Sequence, residues 1–291
     1  MSTTAKQNKI EHFLGRGDMR CVRLVHPLGG EVVVSEYGAQ VLSWVSPTGR
    51  EVLFLSEKAI FEDGHPIRGG IPIVFPQFNQ RGTLPRHGFA RTKSWSIVRQ
   101  TLSNADAVSV TLRLEPDAEI RAMWPHDFVL ELDIVLSDVL LLAMRVENRG
   151  EDSFSYSNAL HTYLRVNDIS QTSITGLKGF VVEDFLDGNN RFIEERERVV
   201  IDGAVDRVYN GSSQVITISD KAVPFKHTLV KEGFPDAVIW NPGLEGAREI
   251  PDMAYHEYTS MICVESGCVI EPQAVAPGET KVHVQIMRVV Q

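Results

Sequence analysis

Three features are scarce or absent in this sequence: cysteine, an excess of basic charge and long hydrophobic runs. Its 291 residues include only Cys21, Cys263 and Cys268, which cannot all pair and are too widely spaced for a compact zinc site, so we expect buried, reduced thiols. The formal net charge of −9 argues against nucleic acid or an anionic membrane surface as the main partner, because both attract surfaces rich in Lys and Arg.

Segments that would target or divide the chain are also missing. No stretch is apolar and uncharged over the length that spans a bilayer, and the polar first residues do not resemble a secretory signal, so we expect no membrane partner and a cytoplasmic location. There is no Gly/Ser/Pro-rich linker and no fixed-period repeat. We therefore predict one domain over residues 1–291, with a core from about residue 20 to 290 behind a polar amino-terminal extension. We expect a monomer.

What the sequence does contain is mostly strand periodicity. Apolar residues alternate with polar ones or form short β-branched runs, as in EVVVSEYG, AVSVTLRL, FVLELDIVLS and TKVHVQIMRVV, and turn sequences such as SPTG, LDGNN and YNGSS separate them. Only residues 251–258 (PDMAYHEY) are compatible with a helical turn or two. The pattern predicts an all-β fold, a large antiparallel sandwich, with functional residues on one open sheet face or its loops.

The segment from residue 67 to residue 95 is rich in Arg, Gly and Pro. Gly69 and Gly70 would let the backbone approach a ligand closely, and three prolines would stiffen an irregular loop. Four arginines fall in this segment: Arg68, Arg81, Arg86 and Arg91. Because guanidinium groups match the oxygens of phosphate and carboxylate, the cluster predicts an anionic ligand. The alternative, for any one arginine, is an ordinary ion pair with a surface carboxylate.

A second segment, SYSNALHTYLRV, places a histidine in the middle of a predicted strand. By the two-residue alternation of a strand, His161 lies on the face opposite Leu160 and Leu164, so it points away from the core if the leucines fill it. Imidazole exchanges protons near neutral pH, which suits an acid/base catalyst. Spacing alone leaves open the alternative of a structural histidine.

A third segment, TSMICVESG, ends an apolar run in Glu265 just before a Ser-Gly turn. A carboxylate at the end of a buried strand is costly unless it is paired or has a function, so Glu265 is a candidate catalytic group. Glu271 is its rival, but the proline that follows it suggests an edge or loop position. Asp206 is predicted at the start of a turn, where it either binds a ligand hydroxyl or caps the turn, and Trp240 is interpreted as a core residue.

The order of these motifs resembles a known family. RGGIPIVFPQF, LPRHGFAR, NALHTYL, VDRVY, WNPG and MICVESG together resemble the glucose-6-phosphate 1-epimerase (hexose-6-phosphate mutarotase) branch of the aldose 1-epimerase superfamily, from about the first strand to the last. The resemblance implies a galactose mutarotase-like β-supersandwich with the sugar in an open cleft on one sheet. It also implies an isomerase that interconverts the α and β anomers of a hexose 6-phosphate with no metal or other cofactor.

The resemblance assigns the chemistry to two residues. His161 matches the general acid of the family and Glu265 its general base. Opening a pyranose hemiacetal requires loss of the proton from the anomeric hydroxyl and protonation of the ring oxygen. We therefore expect Glu265 to accept the first proton and His161, protonated beforehand, to donate the second. This interpretation requires the two side chains to face each other across a gap as wide as a sugar ring.

The remaining assignments concern substrate binding. Asp206 matches a substrate-binding aspartate, Arg68 and Arg91 match substrate-binding arginines, and Arg86 and His87 belong to the same motif. Arg86 stands where some relatives carry glutamine, and the additional cation would favour phosphate. Two alternatives stay open: a mutarotase for unphosphorylated aldoses, which would need no arginine cluster, and a non-catalytic carbohydrate-binding protein.

Overall fold

The computed structural model describes residues 7–102, 106–212 and 214–290, and strands make up most of it. The first part of the chain contains β1 (Lys9–Leu14), β2 (Arg20–His26), β3 (Gly30–Ser35), β4 (Val41–Val45), β5 (Ile73–Val74), β6 (Ser96–Leu102) and β7 (Val108–Leu114). The middle contains β8 (Phe128–Leu136), β9 (Leu140–Asn148), β10 (Phe154–Leu160), β11 (Tyr163–Arg165), β12 (Thr172–Thr175), β13 (Val181–Asp184) and β14 (Asn190–Ile193). The last part contains β15 (Val199–Val200), β16 (Val205–Asn210), β17 (Val215–Asp220), β18 (Lys226–Glu232), β19 (Asp236–Asn241), β20 (Met261–Val275) and β21 (Thr280–Val290).

The strands form three antiparallel sheets, which confirms the predicted fold class. The smallest has the order β1-β2-β3-β4. An eight-stranded sheet has the order β14-β13-β16-β19-β20-β10-β5, with β11 paired to β20, and a nine-stranded sheet has the order β15-β12-β17-β18-β21-β9-β8-β7-β6. One continuous hydrophobic core contains residues of all three sheets, such as Val32, Met144 and Leu160.

The alternation of apolar residues explains how the sheets pack. In β8, Leu130, Leu132 and Ile134 are fully buried, and Leu142 and Met144 of the neighbouring β9 are buried beside them. Residues two apart share a face of a strand, so each strand adds a row of side chains to the core. Burying one such side chain stabilises the fold by roughly 1.5–3 kcal/mol.

Helices are few and short. They are α1 (Ala118–Met123) and α2 (Gly243–Glu249), with 3₁₀ turns at Arg16–Asp18, Ala90–Thr92, Ile169–Gln171 and Tyr255–Ser260. The last of these lies partly in the segment 251–258, where a helical turn was predicted. The sequence pattern misses α1 and α2 because six or seven residues are too few to show a helical stripe. Among the described residues, no helix has the length and hydropathy needed to cross a bilayer.

Two smaller predictions concern the ends of the chain and its thiols. The polar extension expected before residue 20 is in part a strand, because β1 pairs with β2 along its whole length. The partly buried side chains of Ile10 and Phe13 pack strand β1 against two hydrophobic clusters. Cys21, Cys263 and Cys268 are free and buried, as predicted.

Gly69 and Gly70 act differently from the prediction. Both have positive φ angles, +115° and +62°, a region that favours glycine. A Cβ atom at Gly69 would lie 2.5 Å from the carbonyl oxygen of Phe54, and one at Gly70 would lie 2.1 Å from that of Val41. The two glycines therefore let the chain pass close to neighbouring backbone, not to a ligand, and they set the position of Arg68 just before them.

Candidate active site

A pocket with about 590 Å³ of empty volume, partly open to solvent, lies against the eight-stranded sheet. All seven residues predicted for the site line this one pocket: Arg68, Arg86, His87, Arg91, His161, Asp206 and Glu265. The sequence therefore identified residues that the fold brings together, although they are spread over almost two hundred positions of the chain.

Neighbouring strands of the sheet supply one wall of the pocket. In the antiparallel register, Asp206 of β16 is opposite Trp240 of β19, and Val238 of β19 is opposite Glu265 of β20. Because Val238 and Trp240 are two residues apart, all four side chains share a face. Two predictions are wrong here: Asp206 lies within a strand, not at the start of a turn, and Trp240 lines the pocket instead of filling the core.

The two candidate catalytic residues lie on adjacent parts of this sheet. Strand β10 ends at Leu160, and the next backbone N–H, that of His161, donates to the carbonyl of Pro72 (3.0 Å). Leu160 and Leu164 are fully buried in the core, so His161 faces the pocket as predicted. Strand β20 does not end at Glu265 but continues through the expected Ser-Gly turn to Val275.

His161 and Glu265 are in direct contact. Nε2 of His161 lies 3.4 Å from Oε1 of Glu265, so the expected gap as wide as a sugar ring is wrong. The physical reason is that β10 and β20 are hydrogen-bonded neighbours, and facing side chains of neighbouring strands lie about 5 Å apart. The contact still suits ring opening, because the anomeric hydroxyl and the ring oxygen are bonded to the same carbon and lie side by side.

The environment of this pair disfavours charge on either member. Burial lowers the pKa of His161 well below its ordinary value, and the cations of Arg91 and Arg68 lower it further. Burial raises the pKa of Glu265 well above its ordinary value; Asp206 raises it further and Arg91 opposes the shift. Both shifts favour the uncharged forms of the pair, an imidazole and a carboxyl group, over an imidazolium and a carboxylate.

His87 has a strained backbone and a defined hydrogen-bonding role. Its φ angle is +67°, in the left-handed region where a residue other than glycine indicates local strain. The backbone N–H of Asn79 donates to Nδ1 of His87 (3.3 Å). Burial, followed by the nearby Arg91, lowers the pKa of His87 well below its ordinary value, so the ring is neutral. Its Nε2 then carries the hydrogen and is a donor available to the pocket.

Arg68 is anchored before any ligand arrives. Its guanidinium forms an ion pair with buried Asp252 (3.1 Å), and its Nη1 donates to the hydroxyl of Tyr163 (3.0 Å). Arg68 therefore forms an ion pair, the alternative that the sequence left open for any one arginine, but this ion pair lies inside the pocket and not on the surface. Neither Tyr163 nor Asp252 was identified from the sequence as a functional residue, since nothing local indicates that residues 68 and 252 meet.

Arg86 and Arg91 differ from Arg68. Neither forms an ion pair with any carboxylate of the described residues, and Nε of Arg91 is buried without a hydrogen-bond partner. One N–H of Arg91 donates to the backbone carbonyl of Arg86 (2.8 Å). Burial, opposed by Tyr163 and aided by Arg68 and Arg86, lowers the pKa of Arg91 to about 10, so it stays charged at neutral pH. Two unpaired cations thus face the pocket.

The other arginine of the segment does not belong to the site. Arg81 forms an ion pair with Glu183 and packs over the ring of Phe185. For this arginine the alternative of an ordinary ion pair, without a ligand, is therefore the one observed. Glu271, the rival of Glu265, is exposed near the far end of β20. Within the described ranges, no group of three or more His, Cys, Asp or Glu side chains has an arrangement suited to a metal ion.

Known proteins resemble this chain in sequence and in fold. Residues 20–288 match the family described as aldose 1-epimerase. A protein of Cenchrus ciliaris named "Putative glucose-6-phosphate 1-epimerase" is 41% identical over 251 residues, covering 84% of this chain and 76% of that protein. One of Escherichia coli K12 with the same name is 33% identical over 261 residues, covering 87% of this chain and 84% of that protein.

A solved structure leads to the same conclusion. The crystal structure of a "putative mutarotase (YeaD)" from Salmonella typhimurium matches with a TM-score of 0.89 and 26% identity, covering 97% of this chain and 94% of that one. The galactose mutarotase-like sandwich implied by the motifs is thus confirmed. Since the family match extends over most of the sequence, the chain belongs to the aldose 1-epimerase family of isomerases.

Proposed function

We propose that the protein interconverts the α and β anomers of a hexose 6-phosphate, the activity for which its relatives from Cenchrus ciliaris and Escherichia coli are named. One observation carries the proposal: a contacting imidazole–carboxyl pair shares a pocket with Arg86 and Arg91, which form no ion pair with any carboxylate in the part of the chain that the structure describes. The pair suits acid/base chemistry at a hemiacetal, and the arginines suit a phosphate. An unphosphorylated sugar would leave both cations unpaired.

The reaction needs two proton transfers at one carbon. Glu265 removes the proton of the anomeric hydroxyl while His161 protonates the ring oxygen, so the bond between the ring oxygen and the anomeric carbon breaks. The open-chain aldehyde then rotates about its first carbon–carbon bond and closes on the opposite face, with both proton transfers reversed. The 3.4 Å contact lets one residue act on each of the two neighbouring oxygens without a large movement.

The substrate itself supplies the charge that this assignment requires. Burial is the main reason for the low pKa of His161, and the Arg91 and Arg68 cations are the next. A phosphate bound to these arginines compensates their charge, which removes their repulsion of an imidazolium. Transfer of the shared proton from Glu265 to His161 then becomes easier when a phosphorylated sugar is bound.

The first test replaces the members of the pair. Glu265→Gln and His161→Gln should each lower kcat for anomer exchange of glucose 6-phosphate by ~10²–10⁴-fold, because each removes one positioned proton-transfer group. The rate is measured by coupling to a dehydrogenase specific for the β anomer, after subtraction of the uncatalysed exchange. Glu271→Gln makes the same chemical change at an exposed site of the same strand and should leave the rate unchanged.

The same assay tests the phosphate. Arg91→Gln should raise KM for glucose 6-phosphate by about tenfold or more, since a charge-assisted hydrogen bond is lost, and should change KM for free glucose little. Arg81→Gln, outside the pocket, is the control. Equal effects on both sugars would favour the mutarotase for unphosphorylated aldoses. Full activity of Glu265→Gln would reject Glu265 as the base, and wild-type protein that exchanged neither sugar would be a binding protein.

A further inference from the structure

The imidazole of His161 lacks the support that catalytic histidines usually have. Such a ring is commonly oriented by a hydrogen bond to its second nitrogen. Here Nε2 faces Glu265, whereas Nδ1 is buried and finds no hydrogen-bond partner among the described residues. The plane of the ring must therefore be set by other contacts.

Aromatic rings supply those contacts. The ring of Tyr163 stacks on His161 with a centroid distance of 4.7 Å and an interplanar angle of 11°. His87 and Trp240 meet the imidazole nearly edge-on, at 5.6 Å and 6.1 Å. Parallel stacking at this distance restricts rotation of the imidazole more than the two edge contacts do, because a turn of the ring would collide with the tyrosine.

Tyr163 is itself firmly placed. It belongs to β11, where it is opposite Cys263 of β20, two residues from Glu265. Strand β20, which carries Glu265, thus also pairs with the strand that carries Tyr163. The position of the imidazole relative to the carboxyl group therefore depends on this one pair of strands.

The hydroxyl of Tyr163 contacts Arg68, one of the arginines of the pocket. It accepts a hydrogen bond from Nη1 of Arg68 (3.0 Å), whose Nε and Nη2 are held by Asp252. Burial raises the pKa of Tyr163 to about 12, so the phenol stays neutral at working pH. Arg68 therefore commits two of its five N–H groups to hydrogen bonds with Tyr163 and Asp252, and the N–H groups outside these bonds can reach a ligand.

We propose that Tyr163 is a positioning residue for both His161 and Arg68. Its ring fixes the plane of the His161 imidazole, and its hydroxyl fixes the position of the Arg68 guanidinium. The inference deepens the proposed function and rests on it. A buried tyrosine whose hydroxyl only satisfies its own hydrogen-bonding needs is the ordinary alternative. The two differ in what happens when hydroxyl and ring are removed separately.

Two variants separate the hydroxyl from the ring. Tyr163→Phe keeps the ring, so kcat should stay within about twofold, while KM for glucose 6-phosphate should rise about three- to tenfold because Arg68 loses one of its supports. Tyr163→Leu removes the ring, so kcat should fall by about 10²-fold for both phosphorylated and free glucose, as expected when a reacting group is misplaced by about 1 Å.

The control variant is Phe54→Leu. The ring of Phe54 stacks against that of Tyr163 with a centroid distance of 6.3 Å, makes no ring contact with His161, and is not among the residues that line the pocket. It should cost the fold about as much stability as Tyr163→Leu but leave kcat within about twofold. A loss of kcat in Phe54→Leu equal to that in Tyr163→Leu would overturn the proposal, as would identical kinetics of Tyr163→Phe and Tyr163→Leu.

A spectroscopic measurement tests the ring contact without any activity. A stacked tyrosine displaces the NMR signals of the His161 ring protons through its ring current. That displacement should persist in Tyr163→Phe and disappear in Tyr163→Leu, with the signals assigned by their loss in His161→Gln. If wild-type protein failed to exchange anomers, the proposed function would fail while this result still decided the positioning of His161; unchanged signals in Tyr163→Leu would overturn the inference.

Discussion

At the scale of single residues, Arg91 has two effects that can be measured separately. It faces the pocket as an unpaired cation, and it lowers the pKa of His161, second only to burial. Arg91→Gln should therefore raise the pKa of His161 in the free protein, because one repelling charge is removed while burial remains. The shift is measured by NMR titration of isotope-labelled histidine. Arg81→Gln, whose cation is paired with Glu183, should leave the titration unchanged; a fall in the pKa after removal of Arg91 would contradict this electrostatic account.

The candidate catalytic residues of the pocket could be predicted from the sequence, and the residues that contact and position them could not. His161 and Glu265 lie in recognisable motifs and on strands whose alternation gives their direction. Asp252 and Tyr163 become important only through contacts with Arg68, which is 184 and 95 positions away. Protonation is also invisible in the sequence, because the uncharged state of the pair depends on burial by residues from several strands.

At the scale of elements, the segment from residue 67 to residue 95 owes its shape to backbone packing. Gly70 and Gly64 both have positive φ, but a Cβ at Gly70 would collide with the Val41 carbonyl, whereas one at Gly64 would meet nothing within 4 Å. Gly64→Ala should cost about 1–2 kcal/mol in unfolding free energy, the cost of the left-handed conformation alone. Gly70→Ala should cost about 2 kcal/mol more, because the backbone must shift as well.

The measurement is urea unfolding of both variants, together with KM for glucose 6-phosphate. Displacement of the backbone at Gly70 moves Arg68, so KM should rise in Gly70→Ala and stay unchanged in Gly64→Ala. Equal stability of the two variants would mean that the close approach to Val41 does not constrain the segment. The sequence marked Gly69 and Gly70 as positions of close approach, but two glycines in a row do not reveal whether the nearby group is a ligand or another part of the chain.

At the scale of the whole molecule, polar side chains tie the two large sheets together beneath the site. Gln285 of β21 accepts a hydrogen bond from Ser266 (2.8 Å) and donates one to Thr162 (2.9 Å). These two residues directly follow Glu265 and His161 in the sequence. The opposite sheet therefore supports the backbone next to both His161 and Glu265, the candidate catalytic pair. Strand alternation predicted the sandwich, but no sequence pattern indicates which residues of one sheet will bond to the other.

His283 of β21 makes a second tie, to Tyr156 of β10 (2.6 Å). Burial lowers the pKa of His283 to about 4, from an ordinary value of 6.5. Between these pH values the unfolded chain binds a proton that the folded protein does not, so the folded state loses stability as the pH falls from 6.5 to 4. At pH 5 the loss from this one residue should be about 1–2 kcal/mol relative to neutral pH.

The contribution of His283 can be isolated by substitution. His283→Gln removes the titrating ring and weakens the tie to Tyr156, so the variant should be less stable than wild type at pH 7.5. Because only the wild type then loses the stability linked to His283 on acidification, the difference between the two proteins should shrink by about 1–2 kcal/mol at pH 5. Urea unfolding at both pH values gives the four free energies required. A difference that stayed constant or grew at pH 5 would mean that folding does not lower the pKa of His283.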